Sequence, residues 1–273
     1  FCDCALHMIF LSNKHQSVEQ IQEEAVSAYK GLPGEVEHIR YNRHFLSDIE
    51  LDFFSPSHWH EKGCLVSEAQ GRGNTYSFIY QKYYFFLRHY QRGGLFGPLL
   101  GDYYLWTGLH KTRAWREFDL LTNMAASGLP VPRPIAAMVK YTRGLYKADI
   151  VTKCIPKAST LADLLMQGAV DEPTWQNIGC CIHHFHDHGI FHADLNARNI
   201  LIDSSKKIWL IDFDRSFQGR LGRRQKKSNL RRLLRSLRKL WPKADDDQSL
   251  VQAWNCLLLG YAEHDRERHY PCP

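Results

Sequence analysis

Residues 191–217 constrain this chain more than any other stretch: Phe-His-Ala-Asp-Leu-Asn-Ala-Arg-Asn-Ile-Leu-Ile-Asp, then Ser-Ser-Lys-Lys-Ile-Trp-Leu-Ile-Asp-Phe-Asp-Arg-Ser-Phe. The pattern is loop, short apolar strand, turn, second apolar strand. Ile200, Leu201 and Ile202 form the first strand, residues 204–207 carry turn chemistry, and residues 208–211 form the second. Asp194 and Asn199 then lie before one strand, and Asp212 just after its partner. Three polar side chains converge at one edge of a small hairpin.

That convergence suits Mg-dependent phosphoryl transfer. One Asp accepts the proton of an acceptor hydroxyl, while an Asn and a second Asp hold Mg²⁺ on the ATP triphosphate. The segments His192-Ala-Asp194-Leu-Asn-Ala-Arg-Asn199 and Asp212-Phe213-Asp214 resemble the protein-kinase pair His-Arg-Asp-x-x-x-x-Asn and Asp-Phe-Gly. Asp and Asn are common turn residues, so a single match means little. Both halves at kinase spacing, each beside an apolar strand, mean considerably more.

The chain has 273 residues and is 44% hydrophobic, enough for one two-lobed unit or two domains with a substantial core. No uninterrupted apolar run reaches the length of a membrane span. Residues 1–11 contain a short apolar patch with no basic residue ahead of it, a poor signal peptide, so the chain is expected to stay in the cytosol. Of the eight cysteines, Cys180 and Cys181 read as small core residues, and Cys2, Cys4 and His7 make at most an incomplete metal site. Residues 1–30 are set apart as an extension of unassigned role.

From Leu51 the sequence reads as strand-rich and aromatic, an antiparallel sheet with a tight turn at Gly71, Arg72 and Gly73. Backbone amides of that turn would cover nucleotide phosphates. Arg88, near the end of the next apolar strand, is the candidate phosphate-holding cation, since its guanidinium offers a permanent bidentate fork. Residues 112–127 are predicted to be a helix with Trp115, Phe118, Leu121, Thr122 and Ala125 on one face, from which Glu117 projects toward Arg88. Gly128-Leu-Pro-Val-Pro-Arg-Pro stops it.

A further strand over residues 150–155 ends at Pro156. Backbone groups near Lys153 and Ile155 are expected to face adenine, and the lobe boundary falls near residue 155, giving an N-lobe of residues 31–155 and a C-lobe of residues 156–273. Helices are predicted to start after Ser159-Thr160 and at Glu172-Pro173, the second ending at Gly189. His183, His184, His186 and His188 scatter over more than one helix face, so His186 reads as a packed or hydrogen-bonded residue rather than a metal ligand.

Gly71-Arg-Gly73-Asn-Thr, Leu87-Arg88-His-Tyr-Gln-Arg-Gly93-Gly94-Leu-Phe-Gly97, Thr112-Arg-Ala-Trp-Arg-Glu117-Phe and the two catalytic segments together resemble the bacterial 3-deoxy-D-manno-octulosonic acid (Kdo) kinases of lipopolysaccharide assembly, from about residue 50 to 240. The resemblance implies an α+β, two-lobed protein-kinase-like fold, with an antiparallel N-terminal sheet, one main helix and a mostly helical C-terminal lobe. It implies ATP-dependent phosphorylation of the 4-hydroxyl of Kdo on a Kdo-bearing lipid A precursor, at the cytoplasmic face of the inner membrane, with Asp194 as the catalytic residue. Arg88 replaces the protein-kinase lysine, Asn196 a frequent catalytic-loop lysine, and Asp214 the glycine after Asp-Phe. A heptose kinase of the same pathway, an antibiotic or choline phosphotransferase and a non-catalytic scaffold are the alternatives.

Residues 218–243 hold eleven basic residues and no acidic one, in a chain whose net charge is +6, so the positive charge is local. Leu230, Leu233, Leu234, Leu237, Leu240 and Trp241 recur at helical spacing and predict a helix with a buried leucine stripe. The other faces suit a solvated basic surface, a nucleic-acid patch or an anionic membrane. The phosphorylated glycolipid implied by the resemblance favours the membrane or the acceptor's own phosphates, and no nucleic acid is expected.

Overall fold

The computed structural model describes residues 21–26, 35–69, 75–91, 101–242 and 247–266. An antiparallel sheet occupies the N-terminal half. It is built from β1 (Ile21–Val26), β2 (Glu35–Asn42), β3 (Leu65–Ala69), β4 (Thr75–Tyr80), β5 (Tyr83–His89), the short β6 (Tyr104–Leu105), β7 (Pro134–Thr142) and β8 (Leu145–Lys153). Their spatial order is β1-β2-β7-β8-β5-β4-β3, with β6 pairing to β8. β1 extends the sheet at the β2 edge, so part of the extension set apart in the sequence is a strand.

Alternation along β5 and β8 divides their side chains between two faces. Phe85, Leu87 and Val151 are buried in an aromatic cluster with Phe53, Phe54, Trp59 and Phe78. Phe86, Arg88, Ile150 and Thr152 point to the opposite face and line a cleft. The segment over the aromatic cluster corrects the strand reading that began at Leu51. Leu51–Phe54 is a 3₁₀ turn and Pro56–Glu61 is a helix, α1. Pro56 occupies the first helical turn, where its fixed φ suits the helix and its missing N–H removes no bond. Trp59 then stacks on Phe78 with ring centroids 4.2 Å apart and donates its indole N–H to Phe53 O at 2.9 Å. The aromatic content reflects burial against the sheet and not strand structure.

The cleft side of the sheet is closed by α2 (Arg113–Ala126), within one residue of the predicted helix at each end. Ala114, Trp115, Phe118, Leu121 and Ala125 are buried on its inner face. Its C-terminus is closed by Gly128, at φ +78°, whose N–H donates to Ala125 O at 3.1 Å while Leu129 N–H reaches Met124 O at 3.0 Å. This paired closure needs a left-handed residue, which glycine supplies without a Cβ clash.

Past β8 the chain is mostly helical. β9 (Ala158–Thr160) leads into α3 (Leu161–Met166), whose first turn is capped by Thr160 Oγ1 accepting from Asp163 N–H at 3.0 Å. α4 (Glu172–Asp187) is capped in the same way by Asp171. β10 (Ile190–Phe191) pairs with β13 (Phe217–Gln218), and β11 (Ile200–Asp203) pairs with β12 (Ile208–Leu210) and β9. α5 (Arg223–Leu240) and α6 (Asp247–Arg266) complete the lobe. On α5, Leu233 and Leu237 are fully buried and Arg231, Arg232, Arg235 and Arg238 are exposed, the predicted division of faces.

α4 and α6 cross with their backbones in direct approach. A Cβ on Gly179 would lie 2.0 Å from Leu257 O, and one on Gly260 would lie 2.1 Å from Gln176 O. One apolar cluster runs from Trp115 and Phe118 of α2 through Ile182 and Phe185 of α4 to Phe213 and Leu233. It couples the helix beside the sheet to the loops of the helical half. The whole is the α+β, two-lobed arrangement the sequence predicts.

Candidate active site

A cavity of about 290 Å³ lies between the sheet and the helical lobe. Its walls include Thr75, Phe86, Arg88, Ile150, Thr152, Lys153 and Ile155 from the sheet side, Glu117 from α2, and Asn199, Leu201 and Asp212 from the hairpin side. Gly71, Arg72 and Gly73, between the paired strands β3 and β4, lie outside the described residues, as does Arg92.

Arg88 is the hub of this cavity. Its Nη2 donates to Glu117 Oε2 at 2.5 Å and its Nη1 to Asp212 Oδ1. The Tyr90 hydroxyl donates to the same Glu117 oxygen at 2.6 Å. Burial alone would lower the Arg88 pKa, but Glu117, Tyr90 and Asp212 outweigh it and hold the guanidinium well above its ordinary value. Burial, then the Glu117 charge, push the Tyr90 phenol well up, so it remains a donor. The fixed cation sits in the cavity wall and couples α2 to the hairpin.

Asp212 adopts φ +63°, the left-handed region, immediately after the Ile208–Leu210 strand and Ile211. A non-glycine residue there is uncommon, though Asp tolerates it better than most, and such conformations recur at functional sites. Asn199 is anchored by its own amide, Nδ2 donating to Asp194 O at 2.9 Å, which leaves its Oδ1 as an oxygen donor. An amide oxygen and a carboxylate are the hard ligands Mg²⁺ prefers, so this donor set fits that ion.

Asp194 lies at the outer side, with its side chain 55% exposed. Its Oδ2 accepts from Asn196 Nδ2 at 3.0 Å and its Oδ1 from Arg232 Nη1, also at 3.0 Å. The loop that carries it is fixed from within. His192 Nε2–H donates to Ile211 O at 2.9 Å and its Nδ1 accepts from Asp194 N–H at 3.2 Å. Burial lowers the His192 pKa, in keeping with a neutral ring that makes one bond of each kind.

Residues without a role in the sequence reading complete the frame. Asn229 of α5 is 1% exposed; its Oδ1 accepts from His192 N–H and from His186 Nε2–H, each at 3.2 Å, and its Nδ2 donates to His192 O at 2.9 Å. His186 also accepts from the Tyr261 hydroxyl at 2.8 Å, so it is the packed, hydrogen-bonded residue predicted. Ser236 Oγ, two turns along α5, accepts from Ala197 N–H at 3.1 Å. Asn229 could have been flagged in the sequence, because it continues the Leu233 and Leu237 stripe at four-residue spacing and a polar group there needs partners. Arg113 left no comparable signal, yet it grips Asp214 through two nitrogens, with Nε to Oδ1 at 2.7 Å.

Lys153 and Ile155 line the cavity, but the Lys153 ammonium sits over the Tyr83 ring, 4.2 Å from its centroid. The Lys153 N–H donates to Arg133 O and the Cys154 N–H to Tyr84 O, each at 2.9 Å.

Together the sheet, the helix α2 beside it, the Arg88 and Glu117 pair and the Asp194, Asn199 and Asp212 group define a protein-kinase-like phosphotransferase. The chain belongs to the lipopolysaccharide kinase (Kdo/WaaP) family, whose model matches residues 56–254. It is similar to proteins named 3-deoxy-D-manno-octulosonic acid kinase. The Vibrio cholerae serotype O1 protein is 42% identical over 185 residues, 68% of this chain and 78% of that one. The Photobacterium profundum protein is 39% identical over 223 residues, covering 82% and 94%. The Actinobacillus succinogenes protein is 43% identical over 196 residues, covering 68% and 80%.

Proposed function

We propose that this protein transfers the γ-phosphoryl group of ATP to the 4-hydroxyl of Kdo in a Kdo-bearing lipid A precursor, during assembly of the lipopolysaccharide core. The observation that carries the reading is the meeting of Asn199 and Asp212 with the Arg88 and Glu117 pair in one cavity, while the Asp194 backbone carbonyl, just outside it, accepts from Asn199 Nδ2 at 2.9 Å. The family and the names of the relatives supply the acceptor class.

Adenine would lie between Phe86, Ile150 and Leu201, at the strap of residues 153–155 that separates the lobes. Since the Lys153 and Cys154 amides already have partners, the Ile155 amide is the backbone donor assigned to the base. Arg88 grips phosphate oxygens while Glu117 and Tyr90 hold its guanidinium in place. Gly71, Arg72 and Gly73 are assigned to covering the phosphates from the sequence pattern alone.

Asn199 and Asp212 would hold Mg²⁺, which when bound neutralises charge on the phosphate oxygens. Asp194 orients the acceptor hydroxyl and takes its proton as the oxygen forms its bond to the γ-phosphorus. The bond from that phosphorus to the bridging oxygen breaks, and ADP leaves with the electron pair. His192, Asn229 and Ser236 keep the Asp194 loop rigid enough for in-line attack.

A Kdo-bearing lipid acceptor requires access to a membrane surface. Among the described residues no helix is long and apolar enough to cross a bilayer. The exposed basic faces of α5 are assigned to anionic headgroups at the cytoplasmic side of the inner membrane, each cation contributing about 1 kcal/mol. Charge reversal of Arg231, Arg235 and Arg238 together should weaken sedimentation with anionic vesicles, most visibly at low salt.

The experiment that decides the acceptor presents purified protein and ATP with Kdo-lipid A precursor or with its heptosylated form. Mass spectrometry of the products should find one added phosphate on Kdo. Phosphate on heptose alone would replace this reading with a heptose kinase.

A further inference from the structure

We infer that Arg232 is the recognition residue for the acceptor's carboxylate, and that its engagement there frees Asp194 for catalysis. The inference rests on the acceptor reading above.

Arg232 is held in a built position. Asn229, Arg232 and Ser236 fall at i, i+3 and i+7 on α5, hence on one face. The first and last of these hydrogen-bond the backbone of the Asp194 loop, at His192 and Ala197. Arg232 lies between two anchors, and its guanidinium, on a side chain 44% exposed, reaches Asp194 Oδ1. Neither Arg232 nor Asp194 is among the residues lining the nucleotide cavity, which puts the pair on the acceptor's side.

In this arrangement the pair is unproductive. Arg232 occupies one carboxylate oxygen of Asp194 and Asn196 the other. An anion beside the acceptor hydroxyl would draw Arg232 away and open that oxygen to the hydroxyl. The relatives are named for an octulosonic acid, a sugar that carries its own carboxylate. A carboxylate matches the guanidinium fork with two parallel hydrogen bonds. A neutral heptose offers no such group, so the exchange also selects the acceptor.

The test combines Arg232→Gln with a change in the acceptor. Wild type and variant are assayed with Kdo-lipid A precursor and with the same lipid methyl-esterified at the Kdo carboxylate. Esterification should lower wild-type kcat/KM by roughly 10- to 100-fold, the range for losing a charge-assisted contact. Arg232→Gln should lose about as much on the natural acceptor and, within threefold, nothing more on the ester, with KM for ATP within about twofold of wild type. A purely structural role would make the two losses multiply, and that result overturns the inference. So would wild-type kinetics in the variant, or a KM for ATP that rises in step with the loss, which would assign Arg232 to the nucleotide's phosphates. Failure of the wild type to phosphorylate the natural acceptor at all would sink the acceptor reading itself and this inference with it.

Discussion

Arg113, in the first turn of α2, holds Asp214 with two guanidinium nitrogens, Nε reaching Oδ1 at 2.7 Å. The side chains are 18% and 19% exposed, and the Arg113 guanidinium also lies over the rings of Tyr90 and Tyr104. Asp214 stands where protein kinases carry glycine. Here it ties the segment after Asp212 to the helix that supplies Glu117.

Asp214→Gly should therefore not behave as a neutral return to the protein-kinase residue. Losing a charge-assisted, mostly buried contact should cost about 2 kcal/mol of stability. Amide hydrogen exchange in the first turns of α2 should rise, and kcat/KM for ATP should fall roughly tenfold as Glu117 and Arg88 lose their shared register. Unchanged exchange in α2 would show that the helix is held by packing alone.

Arg88→Lys is the second substitution that looks conservative and should not be. One ammonium cannot reproduce the planar fork that reaches Glu117 and Asp212 together. KM for ATP should rise about tenfold, equivalent to about 1.4 kcal/mol. Steady-state kinetics at saturating acceptor would measure it, and an unaltered KM would move the phosphate-holding role to another cation.

The buried histidines give the protein a weakness on the acid side. Burial lowers His186 from its ordinary 6.5 to about 4, and His192 is lowered for the same reason. Between pH 6.5 and about 4 the unfolded chain binds protons that the folded chain refuses, so the stability these rings contribute is complete above pH 6.5 and lost as pH falls toward 4. His186 accounts for about 3 kcal/mol of that loss. His89 acts above pH 6.5 in the opposite sense, because its hydrogen bond to Asp149 raises its pKa and adds stability as pH falls toward 6.5. In thermal melts, His186→Gln should flatten the decline in Tm between pH 6.5 and 4. An equally steep decline in the variant would assign the acid sensitivity to other groups.

The crossing of α4 and α6 allows no side chain at its centre. Since backbone would block a Cβ on Gly179 or Gly260, neither site can yield by turning a rotamer. Gly179→Ala should shift the urea midpoint downward by the equivalent of roughly 3 kcal/mol, despite alanine's better helix propensity. A stabilised variant would mean the helices separate freely at this point.

Apart from the Arg88 and Glu117 pair, 29 residues apart and anticipated from the kinase-like pattern, what could be read from the sequence was what the chain encodes locally. The Asp194, Asn199 and Asp212 segments lie within one loop and hairpin, and α2 carries its apolar period and its glycine stop in consecutive residues. The 51–61 segment misled because buried aromatic residues look alike in a strand and in a short helix, and the Pro56 start signal is a single residue. The contacts that hold the site were out of reach for a different reason. Asn229 meets His192 across 37 residues, Arg232 meets Asp194 across 38 and Arg113 meets Asp214 across 101. Partners at such separations are chosen by the packing of whole elements, which no local pattern states.

The central claim, phosphoryl transfer to Kdo with Asp194 as the catalytic residue, is tested most directly by following label from [γ-³²P]ATP into Kdo-lipid A precursor with wild type and Asp194→Asn side by side, while nucleotide affinity is measured on both. Wild type should label the lipid. The variant should do so about 10² to 10⁴ times more slowly, at nearly unchanged affinity for ATP. Labelling by Asp194→Asn at more than about a tenth of the wild-type rate would contradict the claim.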